Sequence, residues 1–417
     1  MPSCRSALLV AVLATACGGG ATLIAPPPPG SVEFTLTFHS DTEDLATAQA
    51  LGWPRGIPAA DVTVRPVDSS AAPRSVRTSA QGGVVLADLP PGDYVVEVQR
   101  WLSSSERAAL PAGDDAVGFA ALRRVRVPAG GGTAEVAVPA SRRKSLVISE
   151  WAFNVGSSAA LGAYQFGGFA ELYNNGDAMV YLDGMLLGRG LNGNYSLPSP
   201  LPSCSEMAPM SDDPAGVWSL GFQVFPGGGT DYPVRPGQTV VIATDAIDHR
   251  PFFPDALDLR GADFEFEGSG DVDNPSVPGV INVGHYSDFL GHGLTFDGVG
   301  EVIYLAQALD YASLVQGRFG GTGSLLERIP AARLVDVVAI RTNFAWDGHI
   351  ECERTVSARF DREGFRGRGP AGPTEFTYSV ERRATPIQVA GRVVLQHTRT
   401  GNADFFRGRR TPGTVPR

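Results

Sequence analysis

Apolar and polar residues alternate along much of the chain with a period of two. Val32-Glu33-Phe34-Thr35-Leu36-Thr37-Phe38 is such a run, and Val62-Thr63-Val64-Arg65-Pro66-Val67 is another. Successive side chains of a strand point to opposite faces, so this alternation predicts strands with one buried face. Gly82 to Leu89, Tyr94 to Val98, Val125 to Val127 and Ala134 to Val138 extend the series, and Ser103 to Ala121 leaves room for a short helix. Arg142-Arg143-Lys144 marks a boundary, after which Leu146-Val147-Ile148-Ser149-Glu150 opens a second series. There, two apolar runs, Phe169 to Tyr173 and Val180 to Leu187, flank Asn174-Asn175-Gly176-Asp177. A turn of that composition between such runs predicts a hairpin. Val240 to Ala243 and Leu334 to Ile340 are further strands.

Composition agrees with this pattern. The 417 residues include 51 Gly and 32 Pro, the punctuation of many short strands. The expectation is an all-β chain of two β-sandwich domains, residues 31–140 and 145–417. With 34 basic and 44 acidic residues the formal net charge is −10, which argues against a nucleic-acid partner, since phosphates call for a basic face. The local clusters Arg142-Arg143-Lys144 and Arg407, Arg409, Arg410 are read as solvated boundaries.

The N-terminal residues change the picture from globular protein to exported one. Residues 1–16 carry Arg5, a short apolar stretch from Ala7 to Ala14, and the small residues Ala14-Thr15-Ala16 before Cys17. That is an export signal, too short to span a bilayer. The small residues before cysteine resemble a lipobox, with Leu13 one place early, so Cys17 is the expected lipidation site; a plain secretory signal is the alternative. Residues 17–30, with Gly18-Gly19-Gly20 and Pro26 to Pro29, read as a tether. More than one acyl chain anchors stably, and the absence of Asp at Gly18 favours the outer membrane. Cys204 and Cys352 then remain in an oxidising compartment, where they are expected to form a disulfide or else stay free thiols.

Two resemblances follow from the motifs. Thr78, Gly82, Gly83, Leu86, Leu89, Pro90, Pro91, Gly92, Tyr94 and Val96 resemble the run that marks carboxypeptidase-regulatory-like domains of the transthyretin fold. This resemblance covers about 70 residues and implies a non-catalytic sandwich that serves as a stalk, spacer or binding platform. Further along, Ile148-Ser149-Glu150, Glu171-Leu172-Tyr173-Asn174, Leu182-Asp183-Gly184, Pro236-Gly237 with Val240 to Ile242, and Val335-Asp336-Val337-Val338 resemble, in order, the lamin-tail type of Ig-like sandwich. With Ala246-Ile247-Asp248-His249 and Asp271-Val272-Asp273-Asn274-Pro275 the second half is also similar to a family of uncharacterised exported lipoproteins of Bacteroidota-type bacteria. In that pattern Glu150 and Glu171 are framework positions. The loops 192–230, 251–300 and 343–388 are longer than in a minimal lamin tail, and long loops on a sandwich are where binding resides.

The search for chemistry yields few candidates. No His-Glu-x-x-His, Gly-x-Ser-x-Gly or phosphate-cradling glycine loop occurs. Gly227 to Gly229 are read as a turn. Asp263, Glu265 and Glu267 alternate, and Asp271, Asp273 and Asn274 follow in a Gly-rich turn; together these are the candidate ligands of a structural calcium ion, the alternative being a solvated acidic turn. No other cofactor is expected. His249, His285, His292 and His349 are scattered and read as loop histidines. Trp151, Trp218, Trp346, Tyr164, Tyr195 and Tyr232 either stack on a glycan or protein partner or pack beneath the loops. The expectation is a non-enzymatic lipoprotein of the cell envelope that binds another envelope protein. A polysaccharide-binding or adhesion protein is the second reading, and a hydrolase with an unrecognised site the third, which turnover lost on mutating Glu171 or His285 would favour.

Overall fold

The computed structural model describes residues 30–415 apart from 55, 69, 153–156, 159–161, 164–166, 191–202, 253–255, 268–272, 284–301, 319–324, 343–355 and 368–377. The N-terminal segment with Cys17 lies outside the described residues. Among those described, strands dominate, arranged in several sheets, and no helix is long and apolar enough to cross a membrane.

The first half consists of two sheets. One runs Gly83–Leu89, Val32–Ser40, Gly132–Val138; the other runs Arg74–Arg77, Asp61–Pro66, Gly92–Trp101, Ala116–Val127, Ala140–Arg142. Alternate residues of each strand meet in a shared core that includes Phe34, Leu36, Phe38, Val62, Val64, Leu86, Tyr94, Val96, Val98, Phe119, Val136 and Val138. The period-two pattern thus marks the inward faces. Two polar residues of the Thr78–Val96 motif fix its corners. Thr78 Oγ1 accepts a hydrogen bond from Ala60 N and donates to Ile57 O, both at 2.8 Å, and Tyr94 Oη donates to Pro90 O at 2.7 Å.

Helix and strand share the region from Ser103 to Ala121. A short helix, Ser104–Ala108, forms behind a capping box in which Ser103 and Glu106 bond each other's backbone N–H. From Ala116 the chain is strand again, and Val125-Arg126-Val127 is the end of a twelve-residue strand. A second helix, Leu45–Ala50, was not expected. Its sequence Leu-Ala-Thr-Ala-Gln-Ala has high helix propensity, and Asp41 caps the 3-10 turn that leads into it.

The second half is dominated by one long sheet folded over itself, beside three two-stranded ones among the described residues. Edge to edge it runs Phe365–Gly367, Leu334–Thr342, Val302–Ala306, Leu186–Gly190, Gly216–Val224, Gly279–Val283, Phe264–Phe266, Thr239–Ala243, Phe169–Asn174, Leu146–Ala152, Tyr378–Arg382, Phe405–Arg409. The short strand Phe264–Phe266 makes the fold-over, pairing in parallel with Thr239–Ala243 on one side and Gly279–Val283 on the other. The two arms close on a core that includes Leu146, Ile148, Trp151, Leu172, Ile303, Leu305, Val338, Ile340 and Phe405.

The hairpin expected at Asn174-Asn175-Gly176-Asp177 does not form. Phe169–Asn174 pairs with Leu146–Ala152 and Thr239–Ala243, whereas Val180–Tyr181 pairs with Pro233–Val234 and Leu186–Gly190 joins the opposite arm. The turn is a corner between arms. Asn174 is buried, donates through Nδ2 to Ala178 O and Val234 O, and accepts Gly176 N; Asn175 trades two hydrogen bonds with Leu395. These side-chain bonds replace the backbone ladder a hairpin would supply.

Candidate functional site

Buried carboxylates are the main chemical feature of the second half, and the strands decide where they stand. Leu146–Ala152 carries a bulge, so Ile148 and Trp151 face the core while Glu150 turns to the opposite face. There Glu150 lies in register with Glu171 on one neighbouring strand and Glu381 on the other. Glu150 and Glu171 are both fully buried. The C-terminal segment covers them. Glu150 accepts Thr411 N at 3.0 Å and Thr411 Oγ1 at 3.2 Å; Glu171 accepts Ser149 Oγ and Gly413 N, each at 2.7 Å. Burial pushes the Glu171 carboxyl up to about 8 and, together with Glu150, Glu381 up to about 7; it raises Glu150 as well.

A second group comprises the residues expected to hold calcium. Glu265 is 1% exposed and accepts Ala246 N through one oxygen and Asn274 N through the other, both at 2.7 Å. Asn274 Nδ2 donates to Ala246 O, and its Oδ1 accepts Ser276 N. Asp263 accepts Val241 N at 2.9 Å. One carboxylate therefore brackets two separate motifs, Ala246–His249 and Asp273–Pro275, at the fold-over of the sheet. Asp273 is exposed, and Asp271 lies outside the described residues. Among the described residues no group of three His, Cys, Asp or Glu is placed to hold a metal ion.

A third group joins the two arms. Asp336, from the Val-Asp-x-Val motif, pairs with Arg382 at 2.6 Å; their side chains are 2% and 1% exposed. Asp336 also accepts Ile148 N and stands 3.1 Å from His397 Nε2, while Arg382 donates to Ile148 O and Gln396 O. Burial alone would raise the Asp336 carboxyl, but Arg382 and His397 outweigh it and hold it at about 2. Nearby, Asp361 accepts the backbone N–H groups of Ala339, Gly401 and Glu363, and burial raises it to about 6.

The same region clamps the halves together. Arg142 N donates to His397 O and His397 N to Ser141 Oγ. Arg123 pairs with Glu363 at 2.7 Å and Glu43 with Arg362 and Arg399 across the junction, while Arg142 pairs with the buried Asp44 inside the first half. Arg142 and Arg143 are thus ion-paired residues at a junction, not solvated ones, and Arg410 is buried. Of the other cluster Arg407 lies over the Tyr378 ring at 3.9 Å, and Arg409 is exposed. A cleft of 370 Å³ opens between the halves, lined by Arg107, Asp114, Asp115, Arg143, Asp177 and Gln388 among others.

The remaining candidates are dispersed. Cys204 is disulfide-bonded; Cys352 lies outside the described residues, as do His285, His292, His349, Trp346, Tyr164 and Tyr195. His249 is buried with Nε2 2.9 Å from Asp245 O, and desolvation lowers its pKa. Trp151 belongs to the core against Phe405, Trp218 donates to Asp213, and Tyr232 packs on Phe264. These three aromatics are packed rather than presented. Gly227 to Gly229 form the expected turn, gripped by Asp183, which accepts the N–H groups of Gly229, Asp231 and Tyr232. The third group had no counterpart among the sequence candidates: Asp336 was a motif position, and nothing in sequence pairs it with Arg382 or His397.

Comparison with known proteins gives two findings. The family model for proteins of unknown function DUF4876 matches residues 235–312, the stretch organised around Glu265. The crystal structure of a DUF4876 family protein from Bacteroides thetaiotaomicron is similar with a TM-score of 0.53 at 16% identity, over 92% of this chain and 96% of that one. At that identity the likeness speaks for the fold. A proposed adhesin from Bacteroides ovatus aligns at 10% identity over 87% of this chain and all of the other, with a TM-score of 0.18 that carries no argument. No curated protein matches.

Proposed function

We propose that this chain is a DUF4876-type lipoprotein of the cell envelope, anchored through Cys17 to the outer membrane, and that it is a rigid binding arm rather than an enzyme. In this reading the first half is the carboxypeptidase-regulatory-like sandwich and the second the lamin-tail-like one, presenting its long loops to another envelope protein. The observation that carries it is the use made of the buried charges. Glu150 and Glu171, the pair a hydrolase would need, have their oxygens occupied by Ser149, Thr411 and Gly413 beneath the C-terminal segment. Glu265, Asp336, Asp361 and Asp404 hold backbone amides, and Asp336 also ties the two arms of the second half through Arg382. Such contacts stiffen an arm. Within this reading Cys204 pairs with Cys352, and mass mapping without reductant tests that pairing.

The test of the function is an in-cell crosslink and pull-down of the full-length protein beside Cys17→Ser. Recovery of one specific envelope protein with the lipidated form alone supports the reading; background in both removes the partner.

A second reading, glycan binding, draws on the cleft between the halves. Its walls offer carboxylates, guanidinium groups and an amide, the donors and acceptors that polyhydroxylated ligands use, and domain junctions are common ligand sites. Retention on a glycan array that is lost in Asp115→Ala would favour it.

A further inference from the structure

The row of glutamates under the C-terminal segment does more than fix a strand. Neighbouring strands lie about 4.8 Å apart, so Glu171, Glu150 and Glu381 stand within Coulomb range of one another. The charged groups that face them, among the described residues, are each other and Arg410, which acts on Glu150 and on the buried His249; Asp248 and Asp258 act on His249 from its other side. Three ionised carboxylates beside one guanidinium in a water-poor site are mutually repulsive. Protonated, the row is comfortable. Glu171 can donate its proton to Ser149 Oγ, 2.7 Å away, while its other oxygen keeps the bond from Gly413 N. Among the described residues, backbone and hydroxyl donors from Thr411 and Gly413, with Val415 resting on the Val147, Tyr173 and Leu395 cluster, hold the segment down.

We propose that Thr411–Val415 is a releasable strap, seated while the glutamate row keeps its protons and freed as the row ionises. The sign follows from linkage. Glu171, buried beneath the segment, is raised to about 8 even though its bond from Gly413 N lowers it, and the half-buried Glu381, itself raised to about 7, acts on it as a neighbouring charge, so the seated state binds more protons than the released one. Seating is therefore strongest in mild acid and weakens as pH climbs through those values, by up to about tenfold in the opening equilibrium per pH unit for each group. Release uncovers the carboxylates of Glu150 and Glu171, while Val147 and Tyr173 stay covered by Ala384 and Val393.

Hydrogen exchange of the full-length protein, corrected for the intrinsic pH dependence of exchange, tests this. The C-terminal peptide is followed against the core strand Phe169–Asn174. The expected result is a rise of about tenfold or more in opening of the strap amides between about pH 6 and about pH 8, with the core strand unchanged. Glu171→Gln flattens this rise. Glu381→Gln, which leaves every strap hydrogen bond in place, should also flatten it and gives the reading if Glu171→Gln does not fold. Equal opening at both pH values, simultaneous opening of strap and core strand, or a wild-type rise in Glu381→Gln would each overturn the proposal.

Discussion

At the scale of single residues, burial and pairing act in opposite senses on the carboxyls of the second half. Asp336 has an opposite charge within hydrogen-bond reach and lies far below its ordinary value; Glu171 and Asp361 have none so close and lie above theirs. Asp336 therefore adds stability that is complete above its unfolded value of about 3.8 and is lost as pH falls toward about 2. Asp361 works the other way, favouring the fold in mild acid and opposing it as pH rises through about 6. Asp336→Asn removes the nearest counter-charge of the buried Arg382, leaving Asp404 at 3.7 Å, and should cost about 3 kcal/mol in urea denaturation, the low end for breaking a buried pair. The partial rescue expected from Arg382→Met in the same chain separates loss of the pair from loss of packing. Glu265→Ala should cost about 2–4 kcal/mol, since it leaves Ala246 N and Asn274 N without an acceptor, while Glu265→Gln keeps one of the two and loses less. The sequence made Glu150 and Glu171 legible as framework positions, because both sit in strand motifs. It did not reveal what covers them. Glu171 meets Gly413 across 242 residues, and a contact of that span leaves no local trace.

At the scale of elements, periodicity located strands well and pairings poorly. Val32–Ser40 and Ala134–Val138 alternate, and their inward residues fill the core as the pattern requires. Pairing depends on which turn closes and which does not. Asn174-Asn175-Gly176-Asp177 has the composition of a hairpin turn, yet its asparagines are buried and bond to Ala178, Val234 and Leu395, so it carries the chain from one arm to the other. Asn174→Ala should cost about 2 kcal/mol or more by removing buried bonds, whereas an asparagine in an exposed hairpin turn would cost far less; equilibrium denaturation distinguishes the two. Tyr94→Phe isolates the corner of the first half. It removes one hydrogen bond to Pro90 O and leaves the ring buried, so a loss of about 1 kcal/mol is expected. The short helix Leu45–Ala50 went unread because six residues are too few to establish a helical period.

At the scale of the whole molecule, the halves share an interface made of ion pairs and backbone bonds. The backbone of Arg142 and the side chain of Ser141 meet His397 across it, Arg123 meets Glu363, and Glu43 meets Arg362 and Arg399, while the Arg142 side chain pairs with Asp44 inside the first half. Thermal unfolding of the full-length protein should therefore be a single transition. Arg142→Ala leaves the Asp44 carboxylate, 3% exposed, without its cation. It should cost about 2–3 kcal/mol, at the low end for a buried pair because Arg142 is itself about a quarter exposed, and the loss falls on the first half, since the backbone bond to His397 is kept. The boundary near residues 140–145 was legible from the basic run, but its bond across the junction was not, because His397 lies far off in sequence.

The placement of Leu146–Ala152 also has a consequence for how the protein is made. This strand is central to its arm, between Phe169–Asn174 and Tyr378–Arg382, and Thr411 reaches back 261 residues to bond it. A nascent chain growing from its N terminus must carry one side of that strand unpaired until residues 378–409 have been synthesised. Pairing of such long reach is slow, and an open strand edge is a template for aggregation. The second half is therefore expected to complete its fold only after synthesis, with the longest need for a holding chaperone falling on the strand that ends up best protected.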